Sequence, residues 1–260
     1  MSTVPLKPVT ADFVLADVDT SSHPGVDKKS AEKELLSNHD TLADLQHEQH
    51  TAGSAELALG EQTLLQVGGI DPQGVHIHAF KAPTEEERKH DFLWRVRPQL
   101  PTPGIIGVFD RSHYEDVLIH RVRGFSTPEA IEERYGIITD FESEVAAAGT
   151  AIIKVMLHIS SAEQKARLSQ RLDRADKNWK YNPGDVDERK LWPAYQEAYQ
   201  IALTRTSTPD APWYVVPADN KWYARWAVQG LLLDALQKLD PQWPSVDYDV
   251  EAEKARLAAT

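Results

Sequence analysis

The chain has 260 residues, of which 41% are hydrophobic and 26% charged, with a formal net charge of −12 and no cysteine. This is the mix of a globular protein with room for one large domain. It excludes disulfides, thiol catalysis and thiolate metal sites, and the acidic balance argues against general nucleic-acid binding. No apolar run approaches the ~20 residues that cross a bilayer, so no membrane association is expected. MSTVPLKPVTADF has no basic start followed by an apolar core, so no secretory leader is expected and the expected compartment is the cytoplasm.

Residues 1–25 are polar and rich in turn formers, as in Ser21-Ser22-His23-Pro24-Gly25, and read as an extended arm. Leu35, Leu36, Leu42 and Leu45 fall at helical spacing in residues 28–48, with Ser30 as the expected N-cap. Residues 55–66 (AELALGEQTLLQ) are rich in helix formers and are expected to be helical or poorly ordered. VHIHAF, residues 75–80, alternates and is β-branched, so it reads as a strand. Thr84 followed by Glu85, Glu86 and Glu87 is expected to cap and open a helix that stops near Pro98.

GIIGVFD, residues 104–110, is a nearly all-apolar run suited to a buried parallel strand. Residues 129–148 carry Ile131, Tyr135, Ile138, Phe141 and Val145 at helical spacing. A buried strand is expected over 150–159, helices over 162–172 and 190–204, a short strand over 213–217 and a long helix over 222–239. Trp94, Trp192, Tyr195 and Tyr199 read as core, Trp179 as packing its own segment in preference to stacking on a base, and His113 as a structural hydrogen-bonding residue. Strands alternating with helices predict an α/β domain with a mostly parallel sheet.

Charge is unevenly placed. Residues 165–180 hold Lys165, Arg167, Arg171, Arg174, Lys177 and Lys180 against Asp173 and Asp176. Such a stretch is either a solvated helix face or a site for a small polyanion. An apolar strand ending in Asp110 with Arg111 next is a Walker B arrangement, which fixes a carboxylate at the sheet edge beside phosphates. By itself the pattern also serves as an ordinary turn.

Four blocks give it context: FKAPTEEERKHDFLWRVRPQLPTPGIIGV, FDRSHYEDVLIHRV, RLDRADKNWKYNPGDVDERKLWPAYQEAY and APWYVVPADNKWYAR. In order and spacing they resemble the family-2 polyphosphate kinases from about Val67 to Pro244, and more weakly over residues 12–46. The resemblance implies a P-loop NTPase-like parallel sheet flanked by helices, with a helical lid at about 162–192 and an N-terminal arm and helix over 1–50 before the kinase-like domain of 51–260. It implies phosphoryl transfer between inorganic polyphosphate and a nucleoside di- or triphosphate with Mg²⁺, in a possible homo-oligomer. Asp110 would bind Mg²⁺, and Arg111 and Lys81 would face the phosphates. Arg171, Lys177 and Lys180 would close the lid over the chain, with Arg121 and Arg123 adding chain contacts.

One family feature has no counterpart. The family places a loop with an Asp and a Gly-Lys after its first strand, and no Gly-Lys dipeptide occurs in this sequence. Either His50-Thr51-Ala52-Gly53-Ser54 is its remnant, or TLLQ is the stump of the strand and the loop and helix are absent. Only seven residues separate Val67 from Val75, too few for a parallel crossover of about a dozen. The sheet is therefore expected to lack its first strand, with weakened stability. Three activities remain open from sequence: an impaired polyphosphate–nucleotide phosphotransferase, a catalytically inactive polyphosphate- or nucleotide-binding paralogue acting as a regulatory or structural partner, and an ordinary ATP-using nucleotide kinase.

Overall fold

A computed structural model describes residues 4–52, 57–60, 69–243 and 245–260. In chain order the main elements are α1 (Lys28–Ala52), β1 (Leu57–Gly60), β2 (Val75–Ala79), β3 (Ile106–Asp110), α2 (Ile119–Arg123), α3 (Pro128–Ala147), β4 (Ala151–Ile152), β5 (Lys154–His158), α4 (Ser161–Asp173), α5 (Gly184–Arg189), α6 (Trp192–Thr206), β6 (Trp213–Pro217), α7 (Lys221–Leu239) and α8 (Val250–Ala258). Every strand pair is parallel, in the order β2-β3-β1-β4, with β5 and β6 paired beside them.

Side-chain alternation along the strands builds two helical layers, as a period of two requires. On β3, Ile106 and Val108 meet Leu42 of α1 and Val228, Leu232 and Leu236 of α7. Phe109 lies on the other face with Phe141 and Val145 of α3. On β5 and β6, Met156, Trp213 and Val215 join Ile131, Tyr135 and Ile138 of α3 and Leu203 of α6. Val155 and Leu157 turn the opposite way, toward α7. The five apolar positions expected on α3 are all buried there.

The N-terminal arm is laid along this body. Val4, Val9 and Leu15 are buried, the Val9 N–H donates to the Trp213 carbonyl at 2.8 Å, and the Gln200 side-chain amide bonds the backbone of both Phe13 and Leu15. Gly230 of α7 makes the approach possible, because a Cβ there would stand 2.0 Å from Val4 Cγ2.

Several expectations need correction. Within residues 55–66, Leu57–Gly60 is a strand, not a helix, and it fills the centre of the sheet between β3 and β4. The strand starts earlier in the chain than Thr63–Val67, so residues 61–74 are available for the crossover to β2 and the length objection disappears. Pairing on both edges overrides the helix preference of Leu and Ala. Residues 53–56 and 61–68, which include Ser54 of the loop remnant and the TLLQ stump, lie outside the described residues.

The expected helix after Thr84 is one 3₁₀ turn, Glu87–Lys89, followed by further turns to Gln99. The cap itself forms: Glu87 N–H donates to Thr84 Oγ1 and Thr84 N–H to Glu87 Oε2. Asp91 then accepts from the Leu93 N–H and starts a new turn, and Pro98 removes a donor. Asp27, not Ser30, caps α1 by accepting from the N–H groups of Lys29 and Ser30. The 150–159 run breaks at Ile153 into β4, which pairs with β1, and β5, which pairs with β6.

Candidate active site

All strands run the same way, so the residues following them gather at one edge of the sheet, where open α/β sheets bind ligands. Asp110 closes β3 opposite Ala79 of β2, and its carbonyl accepts from Phe80 N–H at 3.0 Å. Lys81 follows Phe80, so the ladder brings the backbone of Lys81 to the sheet edge that Asp110 and Arg111 also reach. Arg95, itself buried, donates to the Lys81 carbonyl at 2.7 Å and reaches Asp116 at 3.8 Å. Asp116 is buried among Arg95, Arg134 and His120, which ties the FKAP segment to the turn that follows β3.

Arg111 has a backbone φ of +61°. A non-glycine residue in that region costs of the order of 1–3 kcal/mol and survives only where its surroundings hold it. Its guanidinium is exposed and lies 3.6 Å from Glu115. Burial pushes the Glu115 carboxyl above its ordinary range, opposed by the Arg111 charge.

The Asp110 carboxylate receives no hydrogen bond among the described residues. It stands at the edge as a hard oxygen donor, with Glu115 close enough to feel its charge. One or two carboxylates with waters and phosphates suit Mg²⁺, which seldom takes an all-protein cage. No cluster of three or more potential metal ligands occurs among the described residues.

A cavity of about 820 Å³ opens beside this edge. Arg111 and Arg123 line it; Asp110, Lys81, Arg121, Arg171, Lys177 and Lys180 do not. Most of the predicted phosphate-binding cations are already paired. Arg123 bonds Glu188, which also accepts from the Tyr195 hydroxyl. Arg121 bonds Glu197 at 3.2 Å, Arg171 bonds Asp185 at 3.3 Å, and Lys177 donates to Gln170 at 3.0 Å. Lys180 lies over the Trp179 ring at 4.8 Å. Asp185 and Glu188 belong to α5, so one short acidic helix holds two of these cations, and both acids line the cavity.

The aromatics depart from expectation. Trp179 is 77% exposed rather than packed, and Trp94 is 42% exposed and stacked on His90. Trp192 and Tyr195 are half-buried and line the cavity, and Tyr199 both lines it and packs against the core as expected. His113 is buried and bonded to Glu142, as expected of a structural residue.

Part of the cavity wall is a group the motifs did not indicate: Glu142 of α3, Lys154 of β5, Tyr114 and Trp213 line the cavity, with Thr206 bonded to them. Lys154 Nζ donates to Glu142 Oε2 at 2.5 Å, to the Thr206 carbonyl at 2.7 Å and to Tyr114 Oη at 2.8 Å. Trp213 Nε1 donates to Thr206 Oγ1 at 3.0 Å. Burial works to raise the Glu142 pKa, but the His113 hydrogen bond and the Lys154 charge outweigh it and hold the carboxyl below its ordinary range. Burial depresses the Lys154 ammonium, partly offset by Glu142. The signal in the sequence was a lysine inside an apolar strand and a glutamate on the buried stripe of α3.

Residues 26–244 match the family described as Polyphosphate kinase 2. This chain belongs to the polyphosphate kinase 2 family. It is 47% identical over 176 residues to an AMP/ADP-polyphosphate phosphotransferase of Meiothermus ruber and 41% identical over 190 residues to an ADP-polyphosphate phosphotransferase of Rhodopseudomonas palustris. Each match covers 68% of this chain and 66% of the relative's length. The crystal structure of a polyphosphate kinase 2 from Arthrobacter aurescens superposes with a TM-score of 0.93 at 48% identity, covering 97% of this chain and 95% of that one. The expected P-loop NTPase-like α/β fold and the expected family membership both hold.

Proposed function

We propose that this polyphosphate kinase 2 family member moves a phosphoryl group between inorganic polyphosphate and a nucleoside diphosphate. The observation that carries this reading is the edge built by Asp110, Arg111 and Lys81 at the ends of two adjacent parallel strands. Phosphoryl transfer depends on positioning and on offsetting charge at the transferred group. Asp110 would hold Mg²⁺, which would supply that offset when bound. Arg111 presents a planar fork to two oxygens at once, and Lys81 a single mobile charge. α4 and the segment to α5 serve as a lid, bringing Arg171, Lys177 and Lys180 over the chain when their present partners are displaced, and limiting access of water.

The missing Gly-Lys favours an impaired enzyme. A lost charge-stabilising donor costs about 2.7–4 kcal/mol in comparable sites, or roughly 10²–10³ in turnover. The same absence favours a second reading, a non-catalytic polyphosphate-binding paralogue. The deciding assay is nucleotide phosphorylation from polyphosphate with Mg²⁺, run with the unaltered chain and Asp110→Asn. Slow turnover that Asp110→Asn abolishes supports the enzyme; no turnover in either, with polyphosphate still bound, supports the paralogue. Turnover equal in both would refute the role given to Asp110.

A further inference from the structure

Lys154 is 7% exposed and spends all three ammonium hydrogens on Glu142, Tyr114 and the Thr206 carbonyl. The second Glu142 oxygen accepts from the Tyr114 hydroxyl at 2.9 Å and lies 3.3 Å from His113 Nε2. Thr206 Oγ1 stands 2.9 Å from the same hydroxyl, whose one hydrogen serves either it or Glu142, and passes its own hydrogen to the Ala202 carbonyl. α3, β5, α6 and β6 thus converge on two residues of one turn, His113 and Tyr114. That turn, His113–Asp116, is capped by Ser112 and begins two positions after Arg111.

The strained Arg111 backbone therefore has a fixed support on each side. Asp110 is locked in the β2–β3 ladder, and His113 and Tyr114 are pinned to the buried pair. We propose that Lys154 and Glu142 are positioning residues for Arg111: they anchor the turn that keeps its backbone left-handed and its guanidinium beside Glu115 at the cavity mouth. The inference rests on the reading that Arg111 meets polyphosphate. It adds to that reading a pair on the cavity wall whose hydrogen bonds are spent within the protein and which acts on Arg111 through the backbone between Asp110 and His113.

The test is a double-mutant cycle in binding, which does not depend on turnover. Long-chain polyphosphate is titrated into the full chain by calorimetry. The proteins are the unaltered chain, Lys154→Met/Glu142→Gln, Arg111→Ala, and all three changes together, each checked by thermal unfolding. The charge-free pair is chosen because Lys154→Met alone strands a buried carboxylate. Tyr114→Phe, which removes one hydroxyl of the anchor, runs through the same cycle if the pair variant does not fold. The pair variant is expected to weaken binding about tenfold where Arg111 is present and to change nothing where it is alanine; Tyr114→Phe follows the same pattern at about threefold. An equal loss in both backgrounds, or no loss beside Arg111, would overturn the inference while leaving polyphosphate binding intact. No binding by the unaltered chain would remove the reading beneath it, and the inference with it.

Discussion

Lys154 carries its ammonium into a strand whose neighbours are Ile153 and Val155, and its cost is offset by Glu142, the oxygens around it and the Tyr114 and Trp213 rings. Removing one member of a buried pair leaves the other uncompensated. Lys154→Met is therefore expected to lower unfolding free energy by about 3–5 kcal/mol, whereas replacing both charges costs much less. Urea unfolding of both variants distinguishes the two. The pair also gives a pH dependence. The folded-state Glu142 pKa lies below the ordinary value of 4.5, so between the two the unfolded chain binds more protons. Its contribution is complete above 4.5 and is lost as pH falls through the depressed folded value. Unfolding free energy of the unaltered chain should decline in that acid window more steeply than that of Glu142→Gln. An equal decline would assign the acid sensitivity to other carboxylates. Single-residue patterns reveal such a pair only weakly, because Lys154 and Glu142 become partners through contacts twelve residues apart that the helix and strand registers alone bring about.

At the scale of elements, local chemistry was the part most legible in the sequence. The buried stripe of α3, the strand over 213–217 and the Asp110–Arg111 edge all follow from periodicity and apolar runs. What was not legible depended on neighbours. β1 is a strand because β3 and β4 flank it, and no propensity of Leu-Ala-Leu-Gly announces that. The Thr84 cap was legible, but the helix behind it was cut short by Asp91 and Pro98. The cations of 165–180 were legible as a cluster, but the α5 partner of Arg171 was not, since that pairing needs the chain to fold back after Asn182. Ser160 shows how an element is set at the site. Its side chain accepts from Glu163 N–H at 3.0 Å to cap α4, while its own N–H donates to Asp219 at 2.8 Å past β6. Ser160→Ala should cost about 1 kcal/mol in unfolding free energy. No measurable change would mean that the Asp219 contact alone fixes the start of α4.

Across the whole molecule, the N-terminal strap joins parts far apart in the sequence. Thr20 bonds Asp219, Asn220 bonds the Ser21 carbonyl, and Gln200 holds Phe13 and Leu15. Its buried Val4, Val9 and Leu15 each contribute about 1.5 kcal/mol or more by removal from water. Deleting residues 1–19 should therefore destabilise the remaining chain by on the order of 4 kcal/mol in urea unfolding. A change below about 1 kcal/mol would mean that the strap lies on the body without supporting it.

The ion pairs of Arg121, Arg123 and Arg171 have a further consequence. A basic surface normally gathers small anions from solution, and an incoming polyanion gains entropy by setting those ions free, so that affinity falls steeply with added salt. Here Glu197, Glu188 and Asp185 occupy that role from within the chain. On the proposed function, an incoming polyphosphate would displace tethered carboxylates that go nowhere, and little would be released to the solvent. Its affinity should depend on ionic strength less than these three arginines suggest, and Glu188→Gln should steepen that dependence.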